Sequence, residues 1–163
     1  MAVLSADAYA HTRGVAQQAA RLARAARLAR DDRVLLLCAA WLHEAHDDQV
    51  VTARRLRHAG HEALAGVIAH RGFCALRLAL DGAAPLEAEF PVPRDAHERV
   101  LRLLDIAWVT TDPAGARRSP ARALRHLAAT RGPRSADTRA FVAMVARLGE
   151  DSEARVLTER VAR

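Results

Sequence analysis

The sequence contains no lysine. All 25 of its basic residues are arginine, and against 19 acids they leave a formal charge of +6. A basic balance favours phosphate-bearing partners. The arginines are spread along the chain, however, and no aromatic residues interleave with them as on single-strand binding surfaces, so nucleic acid is not the expected partner. Aromatics are scarce, at 4%. Only two cysteines occur, Cys38 and Cys74, each among apolar neighbours. Two are too few for a disulfide framework, and they read as buried small hydrophobes in a reducing compartment. No run of ~18 apolar residues is present, which excludes a bilayer-spanning helix, and no membrane role is expected. The first residues, MAVLSADAYAHTRG, lack the basic start and apolar run of a signal peptide, so a cytoplasmic location is expected.

What is present is apolar and charged residue in quantity, 51% and 27% of 163 positions. That makeup suits one folded domain, residues 1–163, with a core of its own. Nearly all of it reads as helix. Ser5 and Asp7 are placed to cap a helix running to about Arg30, with Val15, Leu22, Ala26 and Ala29 inside. Arg21, Arg24, Arg27, Arg30 and Arg33 step by three, which drifts around a helix of 3.6 residues per turn and reads as a solvated face. Asp31 and Asp32 can cap the next helix, Arg33 to about His46. It is apolar nearly all round and is expected to be the central, most buried one.

Further helices are expected over 50–59, closed by Gly60, and over 61–70, closed by Gly72, with a turn or two more over 73–80. Asp81 to Pro93 carries three prolines and reads as a loop. Asp95 to Thr111 is again helical, with Val100, Leu103, Leu104, Ala107 and Trp108 at core spacing. Asp112-Pro113-Ala114-Gly115 is a turn, and Ser119-Pro120 opens a helix ending near Gly132. Two more are expected, from Ser135 to Leu148 and from Asp151 or Ser152 onward. No strand is expected.

Chemistry concentrates where VLLLCAAWLHEAHDD, Val34 to Asp48, runs from apolar residues into His43, Glu44, His46, Asp47 and Asp48. Of the eight histidines, His58, His61, His97 and His126 sit among polar neighbours and are expected at the surface. His11, His43 and His70 each lie near a helix end beside core positions, where both ring nitrogens need partners. HEAH lacks the spacing of the HExxH zinc motif, and no Gly-rich phosphate loop, GxSxG elbow or CxxC occurs.

The order of His11, a long Ala/Leu-rich helix, LLLCAAWLHE, VIAHRG and LLDIAWVTTDPAG resembles the HD-domain superfamily over roughly residues 8–116. That resemblance implies an all-α, HD-like bundle of about seven to eight helices, with the helices of 117–163 packed on it. It also implies a metal-dependent phosphohydrolase site. There His11 corresponds to the first-helix His and His43 to the His of the His-Asp pair, while His70 corresponds to a His near a second metal or the substrate phosphate, followed by Arg71. A divalent metal in such a site acidifies water and offsets phosphate charge.

Three departures bear on the implied function. Glu44 stands where the pair has Asp, and its extra methylene moves the carboxylate by more than the ~0.2 Å tolerance of a ligand distance. Trp108 stands where the last metal Asp belongs, and indole offers no ligand atom. Asp105 lies one turn earlier, ~4.5 Å back along the axis and roughly 60° round. The chain is also short after the pair. Asp48 falls near the His that relatives carry there, and it is read first as a helix-end acid and second as an oxygen ligand suited to a hard cation.

Three functions follow. The first is a divergent HD domain with a degenerate metal site and no cofactor, a ligand-binding or regulatory protein whose pocket lies among His11, His43, His70, Arg71 and Trp108. The second is an active phosphohydrolase on a nucleotide or small phosphoester, holding Mg, Mn, Fe or Zn through His11, His43, Glu44 and Asp105 or Asp48. The third is a metal-free catalyst using His43 and Glu44 as an acid-base pair. Each implies a small-molecule or phosphate-bearing ligand. Phe141, Met144, Val145 and Leu148 can pack internally or at a homodimer contact.

Overall fold

The computed structural model describes residues 5–45, 48–71 and 89–135, together with 138, 139 and 142. They form six α-helices: α1 (Ala6–Ala25), α2 (Arg30–Leu42), α3 (Gln49–His58), α4 (Glu62–His70), α5 (Asp95–Val109) and α6 (Pro120–Arg131). The fold is all-α. Among the described residues the only β-type pairing is an isolated bridge between Thr111 and Arg117. The helices expected at 73–80 and after Asp151, Cys74, His46 and Asp47, and most of the helix expected from Ser135 lie outside the described residues, as do Phe141, Met144, Val145 and Leu148.

The caps explain most of the helix boundaries. The Ser5 hydroxyl accepts from the Ala8 amide, and Asp7 lies in the first turn of α1, where the helix dipole favours an acid. The Asp48 carboxylate accepts from the Val50 and Val51 amides to start α3. Gly60, with φ of +84°, takes the left-handed conformation that turns the chain into α4. Ser119 caps α6 with Pro120 at its first position, and Gly132 follows its end. One expected cap is absent. α2 begins at Arg30 after Ala29, which makes no side-chain bond, so Asp31 and Asp32 support the first turn through their charge alone. α1 also stops earlier than expected, at Ala25, because Arg27 turns left-handed with φ of +50°.

α1 and α2 form an antiparallel hairpin, α3 and α4 a second pair, and α2 and α5 each pack against α1, α4 and each other. The Gln49 amide donates to the Ala69 carbonyl at 2.9 Å, tying the start of α3 to the end of α4. The Arg99 guanidinium donates to Ala26 O at 3.0 Å, tying α5 to the end of α1. The core is aliphatic and rich in alanine: Val15, Ala19 and Leu22 from α1, Leu36 and Ala39 from α2, Ile68 from α4, and Val100, Leu103 and Leu104 from α5. Small residues let the helices approach closely, so shape fit here rests on few large side chains.

Two expectations about the core are overturned. α2 is central by its neighbours but is not the most buried helix. Leu36, Ala39 and Ala40 face inward, while Val34 and Trp41 are about half exposed, at 54% and 45%. Cys38 is likewise exposed rather than a core residue. An all-apolar helix does not state which of its faces the neighbours will cover, and here they cover one side only. α5 buries far more of itself than α2, with Val100, Leu101, Leu103, Leu104, Ile106 and Ala107 all inside.

Phe90 is the other surprise. It belongs to the stretch expected as a loop, yet it is 1% exposed. The Arg57 guanidinium stacks over its ring at 4.6 Å and donates to the Glu89 carbonyl at 2.7 Å. The Arg54 fork holds the Glu89 carboxylate at 2.6 and 2.7 Å. The segment entering α5 is thus pinned to α3 by a cation–π contact and a two-pronged ion pair.

Candidate metal centre

The hairpin brings the second turn of α1 beside the end of α2, and this places His11 next to His43 and Glu44. The two imidazole centroids stand 5.5 Å apart. Each ring is held from behind by a carbonyl. His43 Nδ1 donates to Ala40 O at 2.7 Å, one turn back on its own helix. His11 Nδ1 donates to Asp112 O at 2.8 Å, across the fold. A carbonyl only accepts, so the proton sits on Nδ1, and in the neutral ring Nε2 is left with its lone pair facing forward. Both Nε2 atoms face Glu44 Oε1, at 3.6 Å from His11 and 3.8 Å from His43.

These separations are too long for hydrogen bonds. They suit a shared cation: two ligand atoms ~2.1 Å from one ion at the tetrahedral angle stand ~3.4 Å apart. The three ligand atoms all lie within 4.8 Å of one another. His43 Nε2 is buried and has no hydrogen-bond partner. An orphaned buried acceptor costs about 1–3 kcal/mol, and a cation between these residues would remove that cost. Two neutral nitrogen donors and one carboxylate oxygen, each imidazole oriented by a backbone carbonyl, fit a divalent ion. The Glu44 side chain is 34% exposed, so the cluster opens to solvent on its side.

Burial dominates the electrostatics. The His43 side chain is 1% exposed, and desolvation lowers its pKa from the ordinary 6.5 to about 4; the Ala40 hydrogen bond works against this, while the charges of Arg71 and His11 add to it. His43 is therefore neutral at pH 7, the state a metal ligand requires.

The other candidates from the sequence are not among these three ligands. His70 is buried, and its Nε2 donates to Phe90 O at 2.7 Å, so it locks the 90s segment onto α4. Asp105 is buried on α5 and is not one of the three clustered ligands. Trp108 is partly buried and packs against the core. Asp48 is exposed and caps α3 at 2.8 Å from the Val50 amide. Asp48→Ala is expected to cost about 1 kcal/mol in a denaturant titration while leaving cation affinity unchanged. A change in affinity would return Asp48 to the ligand set. His58, His61, His97 and His126 are at the surface as expected. A cavity of about 740 Å³ lies between α4 and the segment leading into α5, bordered by Gly66, Phe90, Pro91 and Pro93, and no clustered ligand lines it.

What sequence reasoning missed is the support for His11. After α5, Thr110 and Thr111 turn their hydroxyls onto the Ile106 and Ala107 carbonyls at 2.6 and 2.7 Å. The Asp112 amide and carboxylate both close on Ala116, at 2.7 and 2.8 Å. The turn so formed seats Gly115 directly on α1, where a Cβ on Gly14 would fall 2.7 Å from Gly115 Cα and meet its carbonyl oxygen. This backbone-to-backbone contact is what delivers the Asp112 carbonyl to His11. The 112–115 turn was legible in the sequence, but its seat on Gly14 of α1 was not. Compared with protein families, with curated proteins and with solved structures, the chain matches none.

Proposed function

We propose that the chain is a divergent HD-type domain, with the bundle of seven to eight helices that implies, and that it holds one divalent cation between His11, His43 and Glu44 to hydrolyse a small phosphoester. The observation that carries this reading is the pair of carbonyl-anchored imidazoles whose Nε2 atoms converge on one carboxylate, one of them otherwise orphaned in the interior. When bound, a divalent ion supplies Lewis acidity, acidifying water and polarising a phosphoryl oxygen.

The chain's own residues do the rest. Ala40 O and Asp112 O hold the rings in the ligand tautomer. Glu44 balances part of the cation's charge and leaves the solvent side open to substrate. The positive charge of Arg71, which acts on His43, would add to the attraction for a phosphate. Water reaches the cluster from the Glu44 side, and the packed interior behind His43 keeps it out from the other.

Purified protein is expected to carry about one transition-metal ion per chain by mass spectrometry, and to turn over a generic phosphomonoester. His11→Ala and His43→Ala should each weaken the cation more than ~100-fold and abolish turnover. No binding of Mn or Zn at ~1 mM, a concentration far above that of a structural or catalytic site, would sink the proposal. A second reading, cation or ligand binding without turnover, is favoured by Trp108, since it stands where the resembled motif has its last Asp. That reading predicts full metal occupancy with no phosphate release. The metal-free acid-base reading loses ground, because a ring with a pKa of about 4 is a weak base at neutral pH.

A further inference from the structure

The exposed side of the α1–α2 hairpin carries apolar residues that no described residue covers. Val34, Cys38 and Trp41 follow one another at i, i+4 and i+7 on α2 and are all exposed. Tyr9, 51% exposed, reaches across from α1 to Trp41, with ring centroids 6.4 Å apart. The stripe continues one turn earlier to Arg30, and beyond it lies the corner with Arg27 and Arg24, all exposed. These three arginines have no ion pair or side-chain hydrogen bond among the described residues. The face points away from the metal centre, since Tyr9 and His11, and likewise Trp41 and His43, are two residues apart and so ~200° apart around their helices.

The chemistry along this face is graded. One end is aromatic, the middle is aliphatic and small, and the other end is cationic. A covering partner must present the reverse order. A second copy, turned by a two-fold axis through the middle of α2, presents it without further assumption. Each Arg24–Arg27–Arg30 corner then meets the partner's Tyr9 and Trp41 faces, the geometry of cation–π pairing. The two basic ends stay apart, and each Val34 packs toward the partner's half of the stripe. We infer that this chain forms a two-fold dimer through antiparallel packing of α2 on α2, with the axis passing between Val34 and Cys38. The inference is independent of the metal centre.

The axis position gives a direct probe. With the axis at the middle of α2, each Cys38 lies two residues, ~3 Å, past it, so the two thiols stand close without facing each other. Full-length Cys74→Ser protein, with Cys38 its only thiol, should be joined into a covalent dimer by the short crosslinker bismaleimidoethane. Each thiol adds across one maleimide double bond, and no group is released. Light scattering across a concentration series should give a dimer without crosslinker. Val34→Glu and Trp41→Glu, both surface changes that leave the helical circular dichroism intact, should each weaken it on the order of 100-fold, because two-fold symmetry applies every substitution twice. They should slow the crosslink in step.

A monomer at ~100 µM, a concentration well above that of a specific dimer, overturns the inference. So does a dimer indifferent to both substitutions. Salt-sensitive binding of a single-stranded oligonucleotide or of anionic vesicles by a monomer, lost in Trp41→Glu, would assign the face to that partner instead.

Discussion

Gly115→Ala is expected to lower stability by about 3 kcal/mol. Two costs combine. Gly115 sits at φ of +82°, a left-handed conformation that costs an L-residue roughly 1–2 kcal/mol. Its added Cβ would also meet the carbonyl of Ala10, falling 3.0 Å from the carbon, and overpacking of backbone adds about 1–3 kcal/mol. Neither atom set can swing aside, because one belongs to a helix and the other to a turn closed by two hydrogen bonds. In a domain of this size the melting temperature should fall by roughly 6–12 °C.

Gly14→Ala presses on the same contact from the other side without the left-handed strain. The double variant should therefore cost less than the sum of the two. The damage should also reach the candidate metal centre. Separating α1 from the 112–116 turn removes the carbonyl that orients His11, so cation affinity should fall with stability in both variants. Loss of stability with unchanged affinity would show that the Asp112 contact does not position the ring.

Metal-free protein should lose about 3 kcal/mol of stability between pH 6.5 and pH 4 through His43 alone. Well above pH 6.5 the ring is neutral in both folded and unfolded chains and contributes no pH dependence. As the pH falls, the unfolded imidazole takes up a proton and the folded one, held down to about 4 by burial, does not. Protonation therefore favours the unfolded state progressively, until the folded ring also protonates near pH 4 and the loss stops growing. Each unit of pH in that window is worth about 1.4 kcal/mol.

His43→Asn isolates the effect. Asn can still donate to Ala40 O but has nothing to titrate. Denaturant unfolding at pH 7 and pH 4.5 should show a smaller loss in the variant, the difference being the His43 share. Equal losses would mean the ring is better solvated than its 2% exposure indicates. Saturating cation should steepen the dependence, because metal binding requires the neutral ring.

Much of the helical frame was legible in residue patterns. Ser5, Asp48, Gly60, Ser119-Pro120 and Gly132 are local signals whose physics is completed within a few residues of chain, and they mark the boundaries where the caps stand. The core positions of α5 were legible for the same reason: an amphipathic period records which side of a helix will be covered. That signal failed for α2. With apolar residues on every side there is no period to read, and only packing against α1, α4 and α5 reveals that Val34, Cys38 and Trp41 are left outside. Phe90 failed for a related reason. Prolines mark its surroundings as irregular backbone, which says nothing about whether a side chain there is buried.

The candidate site divides in the same way. Composition and order along the chain identified His11, His43 and Glu44 as chemically suited residues at helix ends, since residue type and helix end are both local properties. Whether they meet is a matter of distance across the fold, 32 residues apart in sequence from His11 to His43 and joined by a hairpin whose corner sits at Arg27. Tertiary packing decided that both Nε2 atoms face one carboxylate, that Asp105 stays out of the cluster, and that a glycine-to-glycine contact carries the Asp112 carbonyl to His11. Those outcomes depend on long-range backbone contacts and on burial, which no residue states about itself.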